Sequence, residues 1–234
     1  MLTNIFSVVD GEIVQADELL SMSRKTPDTP VPGPSPEPGP EPGPAPVEHS
    51  VVIGGKKYRT VTMPDGREWL AENLALMLDN FTSGEARGSD TVPMADWYAF
   101  SREENEEFGL LYNWPAVMYM DEHRDELFPG WRVPSIDELE TLVASVDTWT
   151  QLGIVGWKDC TDDYEFSMMP AGLENQSYGA YRFVNKGNTA VLTSRTAPDP
   201  EHTPTNYIMW FSENGSRSNY PMACQFSLRL VKDA

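Results

Sequence analysis

Gly109-Leu110-Leu111-Tyr112-Asn113-Trp114-Pro115-Ala116, then Pro129-Gly130-Trp131-Arg132-Val133-Pro134-Ser135, then Glu138-Leu139-Glu140-Thr141-Leu142 is the stretch that decides the fold. Two tryptophans sit beside tight-turn residues, and a helix start follows at once. Ser135 suits an N-cap, because its hydroxyl can accept a free N–H of the first turn. Glu138 lies three residues on, so Ser135-Ile136-Asp137-Glu138 reads as a capping box. Leu139, Leu142, Val143 and Val146 then fall at helical spacing, which predicts a helix over 135–147. Pro134 cannot continue a helix backwards, so it fixes where the chain enters. The segment reads as a buried aromatic turn leading into a short amphipathic helix, with Trp131 in the core.

Three other blocks stand in order around this one. Thr60-Val61 is followed by Asp65-Gly66-Arg67-Glu68-Trp69-Leu70-Ala71-Glu72-Asn73-Leu74. Asp162-Asp163-Tyr164-Glu165-Phe166-Ser167 precedes Pro170-Ala171-Gly172, and Ser227-Leu228-Arg229-Leu230-Val231-Lys232-Asp233 reads as a terminal strand. Together with the Gly109 and Gly130 blocks, they resemble the Fibrobacter succinogenes major paralogous domain over residues 51–233. That family is a branch of the C-type-lectin-like and sulfatase-modifying-factor superfamily. The resemblance implies an α+β, C-type-lectin-like domain of short strands, one or two helices and long loops, without a cofactor. In that family a cysteine often stands at the positions of Phe128 and Leu230, and a histidine at that of Arg132, so no family disulfide carries over. The formylglycine-generating branch uses a cysteine pair near its C-terminal end, where this chain has only Cys224.

The composition narrows the partners. Among 234 residues there are 36 acids and 17 bases, a net charge of −19. Such a charge repels phosphate backbones, so no nucleic-acid partner is expected. Two cysteines, Cys160 and Cys224, make no disulfide framework, although they can pair if the fold brings them together. His49, His123 and His202 are far apart and lack ligand spacing, so no metal is expected. Asp162-Asp163 can serve as a calcium pair but reads better as a turn. The N-terminus lacks a basic region and a long apolar region, so no secretory signal is expected. No stretch approaches the roughly 18 apolar residues that a membrane span needs.

Three parts follow from composition. Residues 1–25 form an arm in which Ile5 to Val9, Asp10-Gly11, and Glu12 to Val14 read as a hairpin, with a helical turn over 17–22. The arm is too small to bury its own apolar residues, so it is expected to dock on a larger assembly. Residues 26–49 form a linker with ten of the chain's 20 prolines between Pro27 and Pro46. Polyproline II rises about 3.1 Å per residue, so twenty residues reach on the order of 60 Å. Residues 50–234 form the lectin-like domain. There 51–61 reads as a hairpin turning at Gly54-Gly55, Trp69 to Glu72 as a strand, and 79–107 as a long polar loop.

The functional choice lies between an enzyme and a binding module. The C-terminal third is rich in Tyr, Asn, Ser and Arg, types that dominate adaptable recognition surfaces. Asn206, Tyr207, Asn214, Arg217, Asn219 and Tyr220 are the expected ligand-binding residues, while Ile208, Trp210 and Phe226 read as core strand positions. The expected protein is a non-enzymatic, homo-oligomeric phage virion decoration or fibre protein. It joins its assembly through residues 1–25 and engages a glycan or protein receptor through residues 205–220. A secreted or cell-surface bacterial adhesion protein of the same family is the alternative, and a sulfatase-modifying-factor-like enzyme a second one.

Overall fold

The computed structural model describes residues 6–9, 12–15, 49–83, 98–100, 107–177, 180–198, 205–211 and 215–233. The chain divides into two units, Met1–Pro46 and Val47–Ala234. In the first, β1 (Phe6–Val9) and β2 (Glu12–Gln15) pair antiparallel. The register sets Val9 opposite Glu12, leaving two residues to connect them, as the sequence predicts. The turn over 17–22 and the proline-rich run lie outside the described residues.

The second unit is a mixed α+β domain, mostly strands, with three short helices among the described residues. Its smaller sheet has the order β15-β5-β4-β3. Strands β3 (Ser50–Ile53) and β4 (Lys56–Thr62) are joined by Gly54-Gly55, both at positive φ, which a two-residue hairpin turn of this kind requires. β5 (Arg67–Leu70) pairs with β4 on one side and with β15 (Val231–Asp233) on the other. The segment after Trp131 closes on the outer side of β15, where Arg132 and Val231 exchange two backbone bonds of 3.0 Å.

The larger sheet runs β13-β12-β11-β14-β8-β7-β6, with the β9–β10 hairpin joined to β14. Its members are β6 (Thr82–Ser83), β7 (Tyr98–Phe100), β8 (Leu111–Asn113), β9 (Leu173–Ser177), β10 (Ala180–Val184), β11 (Val191–Thr193), β12 (Thr205–Trp210), β13 (Ser216–Pro221) and β14 (Gln225–Ser227). Two expectations change here. The stretch read as a loop over 79–107 contributes β6 and β7. The stretch read as one terminal strand is two, β14 and β15, in different sheets, because the buried residues Leu228, Arg229 and Leu230 carry the chain across.

The helices are α1 (Trp114–Glu122), α2 (Arg124–Leu127) and α3 (Ile136–Ala144). In α3 the capping box forms as its sequence predicts: Glu138 N–H donates to Ser135 Oγ at 3.2 Å, and Ser135 N–H donates to Glu138 Oε2 at 2.8 Å. Ile136, Leu139 and Leu142 are buried, each contributing about 1.5–3 kcal/mol. The helix stops at Ala144 rather than 147, because Thr148 begins a new capping box for the 3₁₀ turn Trp149–Gln151. α1 is the longest element that the sequence did not predict. Asn113 caps it, accepting from Ala116 N–H at 3.2 Å, and Pro115 sits in its first turn. Its apolar residues run on without a helical period, so periodicity gave no signal.

Among the described residues the core has three main clusters. One joins Ile53, Tyr58, Leu70 and Leu74 to α1, Phe128, Trp131 and Leu230. A second joins α3 to Trp69, Trp157, Phe166, Met209 and Phe211. A third holds Leu173, Val191, Ile208, Cys224 and Phe226. Cys160 and Cys224 fall in different clusters, both as buried thiols, and form no disulfide. Asp163 and Tyr164 form a turn, as the sequence predicts for the Asp162-Asp163 pair.

Candidate functional site

β12 and β13 form an antiparallel hairpin at one end of the larger sheet, and β13 is the edge strand. Strand residues alternate between faces, so the register sorts the candidates. Tyr207 opposes Asn219, and Met209 opposes Arg217; these four share one face. Asn206 opposes Tyr220, and Ile208 opposes Ser218; these share the other. The expected set is therefore not a single patch. Asn214 lies outside the described residues.

The Tyr207–Arg217 face packs on α3. Met209 is buried beside Leu139 and Leu142. Arg217 reaches back across the strands, with its guanidinium carbon 5.0 Å from the Tyr207 ring centre. Its Nη1 lies 3.3 Å from Glu140 Oε1, with both side chains more than two-fifths exposed. Gly215, at φ +59, abuts Val143, and a Cβ there would collide with the valine methyls. Arg217 and Asn219 stay exposed on β13, while Tyr207 is partly buried.

The opposite face overturns one expectation. Asn206 is 1 % exposed, because alternation turns it inward with Ile208. Its Nδ2 donates to Thr193 Oγ1 at 3.0 Å. It is a buried sheet residue and presents nothing to a ligand. Tyr220 is partly exposed and stands between Trp210, 5.8 Å away, and Phe226, 5.6 Å away. Burial, with Cys224 beside it, pushes its phenol up from the ordinary value. Ile208 and Phe226 are buried as expected, but Trp210 remains partly exposed.

Sequence reasoning placed Glu140 and Val143 on the helix without linking them to the hairpin, since nothing local shows that α3 meets residues more than seventy positions away. It also missed a polar row in register across β8, β14 and β9, formed by Asn113, Gln225 and Glu174. All three are fully buried, so they offer no accessible face. Among the described residues no group of three or more His, Cys, Asp and Glu is placed to hold a metal ion, and no helix is long and apolar enough to cross a membrane. No protein-family model, curated protein or solved structure matches the chain.

Proposed function

We propose that the second unit is a C-type-lectin-like recognition module without catalytic activity, and that it binds a glycan or a protein receptor through the exposed side of the β12–β13 hairpin. The observation that carries this is an edge strand presenting Arg217 and Asn219 on a rigid footing of α3. A guanidinium held by Glu140 and by the Tyr207 ring is pre-oriented, so little entropy is lost when it meets a ligand. A non-enzymatic reading is further supported by the cysteines. They sit in different core clusters, and burial pushes the Cys160 thiol up, away from the thiolate that nucleophilic chemistry needs. The proline-rich run then serves as a stalk and residues 1–25 as the handle for a larger assembly, a layout that suits a virion decoration or fibre protein.

A glycan array probed with the full chain, alongside Arg217→Ala and Asn219→Ala, tests the site. Each variant should bind at least about tenfold more weakly while melting normally. Full binding by both variants would remove this face from consideration. Binding confined to protein receptors on whole cells would keep the hairpin and change the ligand class.

A further inference from the structure

The connection between α3 and β9 holds a second constellation, apart from the hairpin. Trp149 opens the 3₁₀ turn and is partly exposed. Trp157 lies 5.5 Å from it, ring centre to ring centre, tilted by 60°. The Lys158 ammonium sits over both rings, 5.6 Å from Trp149 and 5.5 Å from Trp157. Lys158 takes φ 50, a left-handed conformation that a lysine adopts only when its surroundings hold it.

Trp157 supplies an independent observation. It is 6 % exposed, yet its Nε1 has no hydrogen-bond partner among the described residues. A buried N–H left unpaired is costly, and an incoming acceptor would recover that cost. Its Cε3 edge faces Gly153, where an added Cβ would come within 3.1 Å. Nε1 is on the opposite edge of an indole, so it points away from that wall. The amide of Gln151 is already engaged: its oxygen accepts from the Asp147 and Thr148 N–H groups, and its nitrogen donates to Asp163. What the constellation offers is an aromatic face, an indole donor and a cation.

We propose that Trp149, Trp157 and Lys158 form a binding site for a carboxylate-bearing pyranose. The apolar face of the sugar stacks on Trp149, the Trp157 N–H donates to a sugar oxygen, and the Lys158 ammonium pairs with the carboxylate. The exposed carboxylates of Asp159 and Asp163 flank the site and hold its affinity down. The inference does not rest on the hairpin, and its test separates the two.

The experiment titrates the full chain with galacturonic acid, galactose and acetate, following the tryptophan indole N–H resonances by NMR. Galacturonic acid should bind at least about tenfold more tightly than galactose or acetate. It should shift the Trp157 indole proton, which is identified by its absence in Trp157→Phe. Lys158→Gln, a surface change, should bring the two sugars to equal affinity, and Trp149→Ala should weaken both. The proposal is overturned if galacturonic acid gives no shift at about 10 mM, if acetate binds as well, or if Lys158→Gln retains the preference. A loss of binding in Arg217→Ala alone would return the site to the hairpin.

Discussion

Residues 129–144 and residues 158–172 both steer the chain through tight turns into buried structure, and they do so by opposite means. The first stretch carries its own instructions. Gly130 takes φ +81, Pro134 blocks a backward helix, and Ser135 and Glu138 satisfy each other's backbone donors. The second has four non-glycine residues at positive φ: Lys158, Asp162, Glu165 and Ser167. Asp162 gives local support by accepting from Ser167, and further support comes from Arg229, 62 residues beyond Ser167. Its buried guanidinium donates to the carbonyls of Phe166, Ser167 (2.7 Å) and Leu70 (3.4 Å), and to Asn73 Oδ1 (2.9 Å). It also lies 4.5 Å from the Phe166 ring centre. Burial lowers its pKa to about 9, so it remains a cation at neutral pH. Local capping makes a segment self-sufficient; a remote cation makes it conditional on the rest of the fold.

Arg229→Met should therefore be the most damaging change. It keeps much of the side-chain volume but leaves three carbonyls and the Asn73 oxygen without their donor. The expected loss is about 5 kcal/mol, read from urea unfolding. A loss below about 2 kcal/mol would mean that the 158–172 stretch holds its own shape, and the contrast would fail. Trp131→Ala comes next, at about 3–5 kcal/mol, because the ring is 4 % exposed in the first core cluster. That loss is one of packing, so refilling the space with Trp131→Phe should recover much of it, whereas no single side chain recovers Arg229.

These two residues mark what was legible in the sequence. Trp131 and the α3 cap could be read because a turn, a cap and a helical period lie within fifteen residues. The β3–β4 hairpin could be read because Gly54-Gly55 is itself a turn signal. Arg229 read as part of a strand, because its partners are carbonyls, which leave no mark in a sequence. The division of Ser227 to Asp233 between two sheets was hidden for the same reason: buried residues between β14 and β15 look like one apolar strand. In the hairpin, residue types were readable but not register. Alternation alone would have set Asn206 and Tyr220 apart from Tyr207, Arg217 and Asn219, had the segment been treated as a strand pair rather than as loops.

Asp162 tests the conditional region from within. Its Oδ1 accepts from Ser167 N–H at 2.7 Å, and its Oδ2 from Ser167 Oγ at 2.8 Å. Asp162→Ala removes both bonds and places a residue less tolerant of φ 52 at that position, for an expected loss of about 2 kcal/mol in thermal or urea unfolding. Asp162→Gly keeps the backbone freedom and loses only the bonds, so it should cost less than alanine. Equal losses would assign the whole effect to hydrogen bonding and none to conformation.

Glu138→Gln probes the self-sufficient region, and its effect should be the smallest. The Glu138 carboxylate accepts from Ser135 N–H and forms a two-point pair with Arg132, at 2.7 Å on each oxygen, while Arg67 Nε lies 3.5 Å away. Burial alone would raise its pKa. The Ser135 and Arg132 bonds and the charges of Arg132 and Arg67 outweigh that, and the net shift is downward from 4.5. A carboxyl whose folded pKa is depressed stabilises the protein fully above its unfolded value and loses that contribution as pH falls through the folded one. Glutamine keeps the capping acceptor and removes the charge. At pH 7 the variant should be less stable by about 0.5–1 kcal/mol. As pH drops below 4.5, the difference should shrink toward zero. If the gap instead stays constant into acid, the Arg132 pair contributes nothing, and the cap alone makes this stretch self-sufficient. If the gap exceeds that of Asp162→Ala, residues 129–144 depend on Arg67 and β15 as heavily as residues 158–172 depend on Arg229, and the two regions differ in degree only.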